Sequence, residues 1–389
     1  MSLPRIYLDH AATSPLRPEA REAFEACLGT ADFNPASAHA FGRAAKDLLE
    51  RARERIASEL GAQRRDLLFT AGGTVADNLA VLGFARARGC AATRIIVSAV
   101  EHKAVLAAAR QAEAEGARLF VLPVGPDGSV NPLDLEAALA DCGTAPTLVS
   151  VMWANNEVGA IQPVAELCDI AHAHGACFHT DAVQAFGKLH ISVEDVPADL
   201  VTITAHKIGG PVGIGGLLVR GGIDIAPLVF GGSQEGGRWP GTQNAPAAAA
   251  FAAAAAESLR ERDAAALRWT SLRDTLEAEL RERIEGLVVH AADASARLPQ
   301  LLSVGVPGAD AATLLMSLDL AGVAVSSGSA CSSGSQSGSH VLAAMGIVPT
   351  GEYAVLRFSF GPSTSEREVL RAAGATVRAA EQARAAVHT

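Results

Sequence analysis

His179-Thr-Asp-Ala-Val-Gln184 and, a little further on, Ala205-His206-Lys207 decide how this chain is read. The first motif closes an apolar run, Ala176-Cys-Phe-His-Thr-Asp181, which reads as a buried strand ending in a carboxylate. The second follows Leu200-Val-Thr-Ile-Thr204, another strand pattern, this one leading to a cation. An anion at one strand end and an amine at the next is what pyridoxal phosphate (PLP) chemistry requires. Lys207 would form a Schiff base with the aldehyde, and Asp181 would keep the pyridine nitrogen protonated so that the ring accepts electrons. A solvated lysine after a strand is the plain alternative, and the surrounding sequence has to decide between them.

Working outward, short apolar runs alternate with helical patterns. Arg94–Ser98, Ala117–Leu122, Thr147–Trp153 and Gly216–Arg220 read as strands, and Val105–Glu115 and Val164–His174 as helices. Gly116 and Gly175 stop those helices just before the next strand. This is βαβ punctuation, and it predicts an α/β fold whose mainly parallel sheet carries helices on both faces. From Pro246 to about Arg283 the pattern is one long helical stretch with at most one break. After it, Leu301–Val306 and Val355–Phe360 read as strands of a smaller α+β unit, closed by a helix from Ser365 to about Ala386. The expected organisation is a large cofactor-binding domain over 16–260 and a small C-terminal domain over 261–389, joined by the N-terminal segment 1–15.

The 389 residues are 49% hydrophobic, enough for a large core, and carry a formal net charge of −10 with no basic block. Direct binding of nucleic acid or of an anionic membrane is therefore not expected. Met1–Arg5 has no apolar signal region, and the alanine-rich run Ala245–Ala256 is too short to span a bilayer. The six cysteines show no CxxC spacing, so neither a metal site nor a disulfide framework is expected, and a cytoplasmic location fits.

Further motifs carry chemistry. Leu67-Leu-Phe-Thr70, then Ala71-Gly72-Gly73-Thr74 and a helical run, is a strand, a glycine turn and a helix start. Gly73 and Thr74 would offer a phosphate bare N–H groups and a hydroxyl, or simply cap the helix. His102 lies between a strand and a helix, where it would cap the helix or stack on a ring and move protons. Asn155 and Asn156 occupy the equivalent lip after Trp153, as turn formers or as ligands of cofactor or substrate. Cys331 stands in a Gly/Ser tract that cannot pack a core and should be mobile, so its thiol is open to reaction unless the tract is only a linker. Arg357, among apolar neighbours, would clamp a carboxylate or pair with Glu352.

The chain resembles the cysteine desulfurases of the NifS/IscS type, class V enzymes of PLP fold-type I. The resemblance runs nearly end to end, through Tyr7-Leu-Asp-His-Ala-Ala-Thr13, Asn34-Pro-Ala-Ser-Ala-His39, Glu101-His-Lys103, Asn155-Asn-Glu157, the Asp181 and Lys207 motifs and Ser326-Ser-Gly-Ser-Ala-Cys331. It implies that Lys207 carries the cofactor, Asp181 meets the pyridine nitrogen, Gln184 bonds the phenolic oxygen and His102 stacks on the ring. It further implies that Thr74, Thr204 and His206 hold the phosphate, and that Thr242 reaches the phosphate of a partner subunit, so a homodimer is expected. Asn155 and Arg357 would bind the carboxylate of L-cysteine. Cys331 would take the sulfur as a persulfide and pass it to an acceptor protein such as an iron–sulfur scaffold.

This chain departs from the family pattern at Val75, where an acidic residue is usual, at Val212, where lysine is usual, and at Gly236 and Trp239, where arginines are frequent. Two rival readings stand beside the desulfurase. One is another class V enzyme, a selenocysteine or cysteine-sulfinate lyase or an aminotransferase. The other is a non-catalytic sulfur-trafficking partner.

Overall fold

The computed structural model describes residues 5–140, 143–327, 338–348 and 353–387. In chain order the strands are β1 (Ile6–Tyr7), β2 (Leu67–Thr70), β3 (Arg94–Ser98), β4 (Arg118–Leu122), β5 (Thr147–Ser150), β6 (Cys177–Asp181), β7 (Leu200–Thr204), β8 (Gly215–Val219), β9 (Val288–Val289), β10 (Leu301–Pro307), β11 (Val323–Ala324) and β12 (Tyr353–Ser359).

Among the described residues, seven strands form one sheet in the order β2-β8-β7-β6-β5-β3-β4. The run from β7 to β4 is parallel throughout, and β8 alone is antiparallel to its neighbours. Successive side chains point to opposite faces. Ile96, Val149, Phe178, Val201 and Ile203 therefore enter one apolar core, while Ile95, Val97, Leu148 and Leu200 enter the core on the other side. Burial on both faces explains why these strands read as continuous apolar runs.

The first core is covered by the helices Pro18–Glu25 and Ala40–Glu59 and by the first half of Ala245–Arg283; the second by Lys103–Ala114 and the helical run from Gly73 to Arg88. That run contains a π turn at Leu79–Gly83, which the plain helical pattern did not predict. Ala245–Arg283 is a single helix of 39 residues without the break that was allowed for. Its far half places Trp269, Leu272, Leu276 and Leu280 in a separate core with β10, β12 and the N-terminal Ile6 and Leu8. Among the described residues, no helix is long and apolar enough to cross a membrane.

The strand read over Thr147–Trp153 ends at Ser150. Val151 and Trp153 still donate to His179 and Asp181 oxygens, at 3.1 and 2.9 Å, but the chain is already bending toward the sheet edge. At that edge the carboxyl ends of β2, β3, β5, β6 and β7 all open together, the place where α/β sheets receive ligands.

Candidate active site

A cavity of about 390 Å³ lies over those strand ends. β6 delivers Asp181, β7 delivers Thr204 and then His206 and Lys207, and the turn after β2 delivers Gly72, Gly73 and Thr74. His102 comes from the turn after β3, and Met152, Asn156 and Glu157 from the segment after β5. Ala11 and Ala12 of the N-terminal segment, His340 and Arg357 of β12 complete the lining. The Gly72 turn fits because β8 has glycine beside it: a Cβ on Gly215 would lie 2.8 Å from Gly72 Cα.

Lys207 Nζ donates to the carbonyls of Ala11 and Ala12 at 2.8 and 2.6 Å. Asp181 is buried and its Oδ1 accepts the Val183 N–H at 2.9 Å. Burial raises its pKa, opposed by His102 and Lys207. His102 caps the helix Lys103–Ala114, its Nδ1 accepting from Ala104 N–H at 3.2 Å, and also lines the cavity. Both roles read from the sequence thus coexist. With Nδ1 an acceptor, a neutral ring carries its proton on Nε2. Burial lowers the His102 pKa, against the pull of Asp181. His206 Nδ1 lies 2.6 Å from Thr13 Oγ1, and burial with Lys207 and Lys188 nearby lowers its pKa to about 4. Thr204 is buried on the wall with its hydroxyl on Ile214 O, 3.3 Å away.

Arg357 is buried on β12. Its Nη2 donates to Asp9 Oδ1 at 2.9 Å and its Nη1 to Asn156 O at 2.8 Å. Among the described residues its ion-pair partner is Asp9, and the pairing with Glu352 lies outside them. Asn155 stands apart from the lining. Its Nδ2 donates to Val100 O at 2.9 Å and its Oδ1 accepts the Glu157 and Val158 N–H groups at 2.8 and 2.9 Å. This amide is spent on forming the turn, the alternative the sequence left open, and Asn156 faces the cavity instead. Thr242 is exposed and does not line this cavity. Cys331 lies outside the described residues. The described chain on both sides of it flanks the site: Ser326 pairs with Arg357, and Ser339 Oγ donates to Glu157 Oε2 at 2.6 Å.

Three groups at the site were not singled out from the sequence. Asp77 is buried beside Asp181 and His102, their ligand atoms within 4.8 Å of one another, and its Oδ1 has no hydrogen-bond partner among the described residues, with His179 Nε2 3.9 Å away. Burial and the repulsion of Asp181 raise its pKa. Glu101 accepts from Ser98 Oγ and Met152 N–H, and burial pushes its pKa up to about 8. Lys188 is buried one turn after Gln184. Its spacing of four from Gln184, within an apolar run, was the available signal.

This donor set fits PLP. Asp181 offers a carboxylate to a pyridinium, Lys207 an amine to an aldehyde, and the Gly73–Thr74 helix start bare N–H groups to a phosphate. The Asp77 oxygen, left without a hydrogen bond, marks a buried polar floor that a bare apolar ligand would not satisfy.

Residues 6–371 match the family model described as aminotransferase class-V. The chain belongs to the class-V aminotransferase family. It is 40% identical to the cysteine desulfurase IscS of Dictyoglomus turgidum over 94% of this chain and 91% of that one. The NifS-like protein of Rickettsia africae superposes with a TM-score of 0.87 at 32% identity, covering 97% and 99% of the two chains. SspA, solved in complex with cysteine, superposes with a TM-score of 0.78 at 28% identity over 92% of this chain and all of that one. In this class-V chain the departures sit in two settings. Val75 and Trp239 pack against the core that holds Ile95 and Leu200, Val75 lining the cavity as well, whereas Val212 at the cavity and Gly236 are exposed.

Proposed function

We propose that this chain is a PLP-dependent L-cysteine desulfurase that gives L-alanine and a persulfide on Cys331. The observation that carries this reading is the convergence of Lys207, Asp181 and Arg357 on one cavity. Relatives named as cysteine desulfurases span nearly its full length and support it. When bound, PLP supplies the aldehyde that captures the substrate amine and the ring that accepts electrons from Cα.

The residues do the rest. Asp181 would hold the ring nitrogen charged, Gln184 would meet the phenolic oxygen and His102 would cover the ring. Gly73, Thr74, Thr204 and His206 would hold the phosphate. Arg357, preset by Asp9 and Asn156 O, receives the substrate carboxylate. Lys207 would take up and return the Cα proton. The Cys331 thiolate attacks the substrate sulfur; the S–S bond forms as the Cβ–S bond breaks, and the carbon chain leaves as alanine after protonation.

The persulfide then passes to an acceptor protein, an iron–sulfur scaffold or a related sulfur relay, in the cytoplasm. The working form is a homodimer in which Thr242 serves the partner subunit's phosphate. The chain divides into a cofactor-binding domain, 16–260, and a small domain, 261–389, joined by residues 1–15.

The test is to incubate the PLP-loaded protein with L-cysteine and a reductant. Equimolar sulfide and alanine are expected. Pyruvate or a transferred amino group would point to another class V reaction, and no product at all to a non-catalytic role.

A further inference from the structure

Lys188 lies outside every role assigned above. It is 6% exposed, and both of its hydrogen-bond acceptors belong to Gln184: the backbone O at 3.2 Å and the side-chain Oε1 at 3.4 Å. Gln184 in turn donates from Nε2 to Ala11 O at 2.9 Å, the same carbonyl that receives Lys207 Nζ at 2.8 Å. A continuous chain of hydrogen bonds therefore runs from Lys188 through the Gln184 amide and Ala11 O to Lys207.

The ends of that chain are chemically fixed. A backbone carbonyl only accepts, so the amide nitrogen must face Ala11 O, and the amide oxygen is left to accept the Lys188 N–H. Oε1 turns toward Lys188 and Nε2 toward Ala11 O, the carbonyl shared with Lys207, while Gln184 lines the cavity. The backbone enforces the same placement. Gly187 has φ +73°, and a Cβ there would lie 2.3 Å from Ser258 Oγ, so this turn is pressed against the long helix with little freedom to shift. Lys188 and Lys207 also share the wall of a second cavity of about 180 Å³ behind the catalytic lysine.

We propose that Lys188 is a positioning residue that locks the Gln184 amide with its donor end toward the cofactor's phenolic oxygen, and thereby sets how firmly the Lys207–cofactor linkage holds its proton. The proposal rests on the PLP reading of the site. Losing that donor makes the phenolic oxygen more basic, so the linkage keeps its proton to higher pH. Among the described residues, the charged or titratable groups around Lys188 are His10, His206, Lys207 itself and, across the second cavity, Arg17, which is paired with Glu261. Burial, with Lys207 nearby, lowers the Lys188 pKa to about 7.

The experiment titrates the visible band of the PLP-loaded protein with pH and measures PLP retention on dialysis. The variants are Lys188→Met, Lys188→Arg, Gln184→Ala and the double Lys188→Met/Gln184→Ala. Lys188→Met is expected to raise the band's midpoint by about one pH unit, a tenfold change in the proton ratio. Lys188→Arg should keep the midpoint near that of the unmodified protein, and Lys188→Met should add little once Gln184 is alanine. A midpoint within about 0.2 unit in Lys188→Met, or the same shift with and without Gln184, overturns the proposal. If Lys188→Met does not fold, Lys188→Gln, which keeps a donor without the charge, should titrate near the unmodified protein; a shift of the full size overturns the proposal. An unmodified protein with no visible band would instead bring down the PLP reading, and this inference with it.

Discussion

Arg53 and Glu235, 182 residues apart in sequence, meet in a buried bidentate pair, Nη1 to Oε2 at 2.6 Å and Nη2 to Oε1 at 2.8 Å. Arg53 Nη1 also holds Leu67 O, and Glu235 Oε2 holds Phe69 N–H, so the pair is fastened to β2, the strand that leads into the Gly72–Thr74 turn. Gln243 Nε2 donates to Glu235 Oε1 at 2.7 Å, which ties in the segment that carries Thr242. Glu235 accepts a positive φ of 49° to reach this position.

Arg53→Met leaves the Glu235 carboxylate buried without its counter-charge, which costs about 3–5 kcal/mol. Denaturant unfolding measures it, and a loss below about 1 kcal/mol would show that the pair is incidental to stability.

Lys207→Ala should abolish the visible absorbance of the PLP-loaded protein. Lys103 also lines the cavity and Lys188 lies behind it, so a band that survives would assign the cofactor to one of those two lysines.

Cys331→Ser should still bind L-cysteine, with a spectral change on mixing, yet release almost no sulfide. A serine hydroxyl is not nucleophilic at neutral pH without a base to activate it. Near-normal sulfide release would mean that no protein thiol takes the sulfur.

Trp239 packs against the core that holds Ile95 and Leu200, so the departure from arginine there exchanges charge for apolar contact. Trp239→Arg should lose about 1–2 kcal/mol of stability. Parallel measurement of PLP retention and acceptor preference decides whether the exchange also matters for function; if both hold steady, it is neutral there.

His290, 1% exposed, bonds Ser303 Oγ and Tyr353 OH at 2.8 and 2.9 Å. Burial lowers its pKa from 6.5 to about 4. Below about pH 6.5 the unfolded chain takes up a proton that the folded chain refuses, so this residue's contribution to stability falls as pH drops toward 4. Between pH 6.5 and 5 the loss is about 1.6 kcal/mol. His290→Gln should weaken the fold at neutral pH but flatten that acid slope. A slope unchanged by the substitution would place the acid sensitivity elsewhere.

The sheet was legible because parallel strands buried on both faces read as uninterrupted apolar runs, and because Gly116 and Gly175 mark where helices stop. The strand-end residues Asp181, Lys207, Gly73 and His102 were legible for the same reason, since the end of such a run has only one edge of the sheet to occupy. Contacts between distant segments were not. Nothing local in Leu356-Arg-Phe says that Arg357 pairs with Asp9, 348 residues away. Nothing in Asn155-Asn-Glu157 tells which amide the turn consumes, because both asparagines suit a turn equally well. Asp77 hid on a helix face whose burial depends on the sheet beneath it.

The helix Ala245–Arg283, roughly 58 Å long at 1.5 Å per residue, gives its first half to one core and its second to another. Neither core can melt without stripping the packing from one end of a rod whose other end is still held. The two should therefore unfold together as one cooperative transition. In hydrogen exchange, the amides near Phe251 and those near Leu276 should open at the same free energy, although they belong to different cores.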